Sequence, residues 1–505
     1  MPLGGRPRKL SSRTVLLGIM IALDSGRPAH LAAAERALSL LEVSDQLGVG
    51  AAVVTSDGEW QQATYRQIED TFKVMCASID PSPVPSFKGL PATGRADHLR
   101  AVRAGVEADS KKAALSRVTD ALVEASVPDD YKSASASLAV DWTDHETWSR
   151  PRSKGDEQPA NDPDASWGHA KRNAPGAKDC VFFGYYAQVA TMVPDEGGSR
   201  VPELVRRIAF EAPRVDPAAV MAETLVAMHA DGIELKDVLC DCGYSNRHPA
   251  TFSRPFRRVG ASLVMDLHPA DRGKRGTFEG AICSNGRLYC PATPVSLLEL
   301  GPARRGAPPE EVAAHEQSCP ELGSYRFSRI AGPDADGYER ASCPAVAGRL
   351  RCLLKAASMA LSATHPSVLD PPPGEPARCC AQLSITVPPQ VNEKTRQKHP
   401  YPSAAFTASY ARRTAAERAY ASLCDPSTGG IRRGWCRLFG LAKITLMYAL
   451  GVAVRNVRIV ESFERARAKE ARRLAMGLPA GRRRRRRYEP GTDEPSQAKP
   501  PTTPG

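Results

Sequence analysis

Two short apolar runs, each closed by an aspartate, constrain this chain more than any other feature. "SLAVDW" (137–142) and the run within "LKDVLCDCGYS" (235–245) read as buried strands. Each delivers a carboxylate, Asp141 or Asp241, to the end of a rigid apolar element. Between them lie "CVFFGYYAQVATMV" (180–193), whose β-branched and aromatic residues predict a strand or a hairpin, and "AAVMAETLVAMHADG" (218–232), a helix ended by glycine. Strand, hairpin, helix and strand in that order predict an α/β core.

The flanking segments differ from it. Residues 9–125 read as mostly helical: "HLAAAERALSLL" and "TYRQIEDTFKVM" carry amphipathic periodicity, and the Pro- and Gly-rich stretch from Pro81 to Gly94 separates the helical blocks. The polar, proline-punctuated segment 150–178 reads as a loop. From 260 to 400 the pattern is short strands, turns and prolines, with most of the cysteines. An alanine-rich helix and a long amphipathic one, "GLAKITLMYALGVAVRNVRIVESFERARAKEARR", follow. The expected division is a helical N-terminal domain (1–130), a core in two parts (131–265 and 401–465), a β-rich insertion between them (266–400) and a basic tail (466–505). The N-terminal block either recognises DNA or serves packing and dimerisation.

Charge narrows the class of partner. A net charge of +12 over 505 residues, with a pI near 9.1, favours a polyanion, of which nucleic acid is the commonest. Six arginines at Arg482 to Arg487 predict a solvated tail that adheres weakly and salt-sensitively to nucleic acid. Thirteen cysteines, an odd number in a long chain, do not suit a secreted disulfide framework. The apolar run Val15 to Leu23 imitates a signal peptide, but Asp24 and Arg27 follow at once. The run Leu441 to Val454 contains Lys443 and is too short to span a bilayer. These features predict a cytoplasmic protein with reduced thiols.

The chemistry concentrates in "SYARRTAAERAYASLCDPSTGG" (409–430), which reads as a helix running into a turn. Tyr410, Arg413, Glu417 and Cys424 fall within an arc of roughly 60° at about 100° per residue. A helix crossing the sheet would bring Glu417 towards Asp141 and Asp241. Three converging carboxylates do not stay ionised together without a cation, and hard oxygen donors suit Mg²⁺ or Mn²⁺. Two such ions about 3.5–4 Å apart activate water and stabilise the leaving oxygen of a phosphodiester.

At these residues the chain resembles the DDE transposases of bacterial insertion sequences, in the group marked by a Tyr-x2-Arg-x3-Glu-x6-Lys signature. Tyr410, Arg413 and Glu417 match its first three positions, and Cys424 stands where the family has lysine. "LAVDWTD" resembles the family's Asp-Gly-Thr motif with Trp142 for glycine, and "DCGY" resembles its Asp-x-Gly-Tyr motif. The resemblance covers about 137 to 465. It implies an RNase H-like catalytic core and DNA cleavage and strand transfer at transposon ends. Two Mg²⁺ or Mn²⁺ ions would be held by Asp141, Asp241 and Glu417. Tyr410 and Arg413 would contact DNA phosphate, as their donors allow. It also implies double-stranded DNA partners (terminal repeats and target), a dimer on DNA and a place on the nucleoid. A thiol cannot supply the lysine's charge, so either a phosphate contact is lost or Arg432 and Arg433 take it over.

Blander readings compete. Asp144 and Glu146 rival Asp141 within "DWTDHE", and Asp241 suits the cap of a turn before Gly243. The insertion's Cys283, Cys290, Cys343, Cys352, Cys379 and Cys380 lack a tight Cys-x2-Cys pair, so structural zinc is not expected. Two other functions use the same residues. One is a DNA-binding protein derived from such an ancestor with impaired catalysis. The other is a stand-alone metal-dependent nuclease that cuts without joining.

Overall fold

The computed structural model describes residues 10–479 other than 29, 154–157, 171–179, 304–306, 371–373, 426–427 and 432–435. Arg432, Arg433 and Arg482 to Arg487 therefore lie outside the described residues, as does part of the expected loop 150–178. The chain forms two compact units, 1–459 and 460–505. In the second, the described residues from 460 onwards are almost all exposed, as the run "ESFERARAKEARR" requires.

The first unit opens with helices, as the periodicity predicts. α1 (Ser12–Asp24) is capped by Ser11, whose hydroxyl accepts from Thr14 N at 3.1 Å. α2 (Tyr65–Ile79) starts on a reciprocal cap in which Thr64 and Gln67 satisfy each other's backbone N–H. α3 (Ala108–Ala125) completes the block, and a small hairpin, Ala52–Val54 with Trp60–Gln62, interrupts it. The segment 80–91 is irregular, where Pro81 to Gly94 were expected to divide the helices.

A six-stranded mixed sheet forms the centre. Its main strands are β1 (Ser137–Glu146), β2 (Cys180–Val193), β3 (Val205–Glu211), β4 (Asp237–Cys240) and β5 (Ser262–Met265). Their spatial order is β3-β2-β1-β4-β5, and the short strand Ser166–Ala170 shares the outer edge of β2 with β3. β1, β2 and β3 pair antiparallel, whereas β4 runs parallel to both β1 and β5. The crossover from β3 to β4 is helix α4 (Pro217–Ala230), started by an Asp216 cap and Pro217. "CVFFGYYAQVATMV" is thus one long strand and not a hairpin.

Two helices cover the sheet. α5 (Thr414–Cys424) and α6 (Leu441–Ala475) place Ala415, Ala416, Ala419, Tyr420, Leu423, Tyr448 and Val452 in one core with β-strand residues Ala139, Val189, Ile208 and Leu239. Alanine every third or fourth position lets α5 lie close to the sheet. The N-terminal helices bury Val15, Ile19, Ile68 and Phe72 against Leu446, Met447 and Leu450 of α6. The apolar runs Val15 to Leu23 and Leu441 to Val454 are therefore parts of core helices, and among the described residues no helix is long and apolar enough to cross a membrane. The insertion forms short strands in three small sheets around a separate core.

Candidate active site

The parallel pairing of β1 and β4 sets Leu138 beside Val238 and Ala139 beside Leu239. Continuing that offset brings Asp141 and Asp241 to matching positions on neighbouring strands. Contacts beyond the ladder agree with this. A β-carbon at Gly243 would meet the Trp142 ring at 2.8 Å, and Trp142 packs on Tyr244 with ring centroids 4.2 Å apart. Glycine at 243 is what allows the chain after Asp241 to fold against the residue after Asp141. Asp241 also makes the cap that its sequence context suggests: Oδ1 accepts from Gly243 N at 2.9 Å. Tyr244 is buried, with its hydroxyl donating to Gln188 Oε1 at 3.0 Å.

The third acidic residue arrives on α5. The segment 409–424 is not one continuous helix: a helix, Ala404–Tyr410, passes through a 3₁₀ turn, Ala411–Arg413, into α5. The tighter turn changes the angles assumed for a uniform helix. Even so, Arg413 reaches both neighbours. Its Nη1 lies 3.4 Å from Asp141 Oδ2, and its Nη2 bonds Glu417 Oε1. Of the three acidic residues in "DWTDHE", Asp141 is the one this guanidinium engages; Asp144 is exposed. Tyr410 stacks on Phe406 at 5.3 Å and carries the Arg413 guanidinium 5.6 Å above its own ring.

Two residues that the sequence reading passed over hold this arrangement in place. The Tyr420 hydroxyl sits 2.8 Å from Asp141 O and 2.7 Å from Ala187 O, so its proton ties α5 to the backbone of β1 and β2 beside the carboxylate. Arg412 donates to Asp237 Oδ2 at 2.9 Å and to Pro194 O at 2.9 Å, fastening the 3₁₀ turn to β4. Lys398 donates to both oxygens of the same buried Asp237 at 2.9 Å. An aspartate inside the apolar run "KDVLC" was the available signal, because a buried charge requires a partner.

The electrostatics are those of crowded negative charge. Burial pushes the Asp141 carboxyl up to about 7, the charge of Asp241 adds to this, Arg413 and the Trp142 N–H oppose it, and Glu417 raises it further. Burial alone would lower Arg413, but Tyr410, Asp141, Glu417 and Asp241 hold it above its ordinary value. Burial also raises Tyr410, which stays a neutral hydrogen-bond donor. Glu417 is the outermost member, its side chain 53% exposed against 16% for Asp141.

In chemical type these donors fit a hard divalent cation: three carboxylates, one of them short of counter-charge. Their present arrangement is open. Among the described residues no three His, Cys, Asp or Glu side chains are gathered to hold an ion, and Arg413 is bonded to both Asp141 and Glu417. Cys424 ends α5 half-buried, within electrostatic reach of the Tyr420 and Tyr448 phenols. No family model and no curated protein matches the chain.

Proposed function

We propose that this chain is a DNA transposase of the DDE type with an RNase H-like core, acting by metal-dependent phosphodiester hydrolysis and strand transfer. The observation that carries this reading is the meeting of three distant segments. Asp141 of β1 lies within electrostatic reach of Asp241, just past the end of the adjacent parallel strand β4, and of Glu417 on α5, with Arg413 joining Asp141 to Glu417. The sheet order β3-β2-β1-β4-β5, with only its first three strands antiparallel, supports the same reading. Asp141, Asp241 and Glu417 would hold Mg²⁺ or Mn²⁺, which would supply Lewis-acid stabilisation of charge at the phosphate. Arg413 and Tyr410 would orient the DNA backbone, the guanidinium by paired N–H donors and the phenol by its retained proton. The net positive charge supplies the general attraction to DNA, with a dimer on the two transposon ends.

The test uses an end-labelled DNA duplex carrying the element's terminus, with Mg²⁺ or Mn²⁺. Asp141→Asn, Asp241→Asn and Glu417→Gln should each abolish strand cleavage while leaving DNA affinity within about threefold, because binding rests on cations elsewhere. Unchanged cleavage by the Asp241 variant removes the assignment. A second reading, a DNA-binding descendant with impaired catalysis, is favoured by Cys424 in place of lysine. It expects DNA binding indifferent to Mg²⁺ and Mn²⁺ and no cleavage by the unmodified protein. Cleavage without joined products would point instead to a nuclease.

A further inference from the structure

The insertion between Asp241 and Glu417 has its own core, and sulfur is prominent in it. Cys283, Cys290, Cys343, Cys352 and Cys379 are buried there, with Cys380 packed against them. They come from separate places in the chain. Cys290 follows the strand Arg287–Tyr289, Cys343 follows Glu339–Ser342, Cys352 closes Arg351–Cys352, and Cys379 and Cys380 share the helical turn Arg378–Ala381. Cys290 lies within electrostatic reach of Cys343, Cys380 and Cys352, and Cys343 within reach of Cys380 and Cys352. Of the adjacent pair, whose sulfurs are 3.8 Å apart, Cys379 packs against Gly280, where a β-carbon would meet its sulfur at 3.4 Å. Cys380 is the half-buried member.

Packing alone explains why thiols are buried, since cysteine behaves as a small hydrophobe. It does not explain three further features. Cys290 and Cys343 each open the same tripeptide, Cys-Pro-Ala. In both copies the chain turns so that backbone N–H groups face the sulfur: that of Ala292 at Cys290, and those of Ala345 and Val346 at Cys343. Burial raises both thiols, and these donors oppose that rise. Next, Lys355, anchored on Ala381 O and Gln382 O at 3.2 Å, sets a cation beside Cys380. Finally, the strands of this subdomain are two to five residues long and lie in three separate sheets, joined through one shared core.

We propose that Cys290, Cys343, Cys352 and Cys380 form a tetrathiolate site for Zn²⁺ that fastens the insertion. Soft thiolate donors select such an ion, and the two Cys-Pro-Ala turns supply preformed ligand corners. Among the described residues the thiols are not yet gathered as ligands, so binding draws the segments together, each ligating thiol giving its proton to solvent. The linear spacing of these cysteines argues against zinc; their meeting in one core argues for it.

The inference is independent of the activity proposed above and is tested on the full-length protein without DNA. Protein made in zinc-supplemented medium and purified without chelator should contain about one zinc ion per chain by elemental analysis. Exchange with Co²⁺ should give thiolate-to-metal charge-transfer absorption in the near ultraviolet and the intense visible bands of a tetrahedral sulfur site. Cys290→Ser and Cys343→Ser should each lose the ion, and Cys180→Ser on the central sheet should keep it. The Co²⁺ spectrum of the unmodified protein decides the matter even where a serine variant does not fold. Unmodified protein with less than about 0.2 zinc per chain and no charge-transfer band on Co²⁺ titration overturns the proposal. So does stoichiometric zinc whose Co²⁺ replacement shows no sulfur band, because the ion then sits on oxygen or nitrogen.

Discussion

Replacing Asp141 with asparagine should make the metal-free protein more stable at alkaline pH. The carboxyl titrates near 7 in the fold against a reference of 3.8, because burial and then the Asp241 charge disfavour its ionised form. The sign follows from proton binding. The folded state holds this proton more tightly than the unfolded chain, so stability is highest below about pH 4 and falls as pH rises to about 7. A shift of about three units at about 1.4 kcal/mol each sets a ceiling of about 4 kcal/mol for the penalty at pH 8. Asparagine keeps an acceptor for the Trp142 N–H, and the loss of the charged contact with Arg413 is already contained in that shift. The gain at pH 8 is therefore up to about 4 kcal/mol.

Asp241 and Glu417 also face Asp141 and are present in both proteins, so the comparison changes position 141 alone. Tyr244, Tyr420 and Cys240 are all pushed upwards by burial and stay neutral, and Arg413 stays charged. Urea unfolding of both proteins in EDTA, at pH 5 and pH 8, reads the effect. About 2 kcal/mol of the penalty is already present at pH 5, so the gap should widen by about 2–3 kcal/mol at pH 8. A gap independent of pH, or an asparagine variant less stable at pH 8, would show that Asp141 is not under the electrostatic pressure its surroundings imply.

Removing EDTA and adding Mn²⁺ should raise the melting temperature of the unmodified protein at pH 8 and leave an Asp141→Asn, Asp241→Asn double variant unmoved; at a hundredfold excess over Kd the gain is about 2.7 kcal/mol. Tyr420→Phe removes the proton shared between Asp141 O and Ala187 O and should cost about 1–2 kcal/mol in urea unfolding, with a fall in DNA cleavage as α5 loosens over β1. Arg412→Met leaves Asp237 with Lys398 as a counter-charge and should cost about 1–3 kcal/mol by the same measurement. Equal stability of the Arg412 variant would mean that the 3₁₀ turn is held by packing alone.

The sequence was most legible where one residue type had one structural use. An apolar run ending in aspartate reads as a strand that presents a carboxylate, and both such runs are neighbouring strands of the sheet. β3 is not legible because in "VRRIAFE" Arg206 and Arg207 follow Val205 and mask its apolar pattern. Both are buried and paired with Glu124 of α3, a partner 82 and 83 positions away that no local window contains. The face of Tyr410, Arg413 and Glu417 was reached by assuming one helical pitch, and a 3₁₀ turn intervenes; the grouping survives because Arg413 is long enough to bridge the difference. The cysteines are legible in sequence only as separate thiols. Spacing rules detect metal sites built from a single loop, and these thiols come from loops that only the folded insertion brings into one core.

Arg413 also couples the charges of the candidate site to one another. Its two N–H arms rest on Asp141 and Glu417, and the same arms are the donors expected to meet a DNA phosphate. Neither use is free of the other. If the guanidinium turns to phosphate, Asp141 and Glu417 lose the positive charge now between them, and Asp141 must then take up a proton or a cation. On this reading DNA and divalent cation bind with positive coupling, and by linkage each raises the affinity for the other by the same factor. The coupling resides in one side chain, so Arg413→Ala should abolish it while leaving the three carboxylates in place. Equal Mn²⁺ enhancement of DNA affinity in that variant would put the coupling elsewhere.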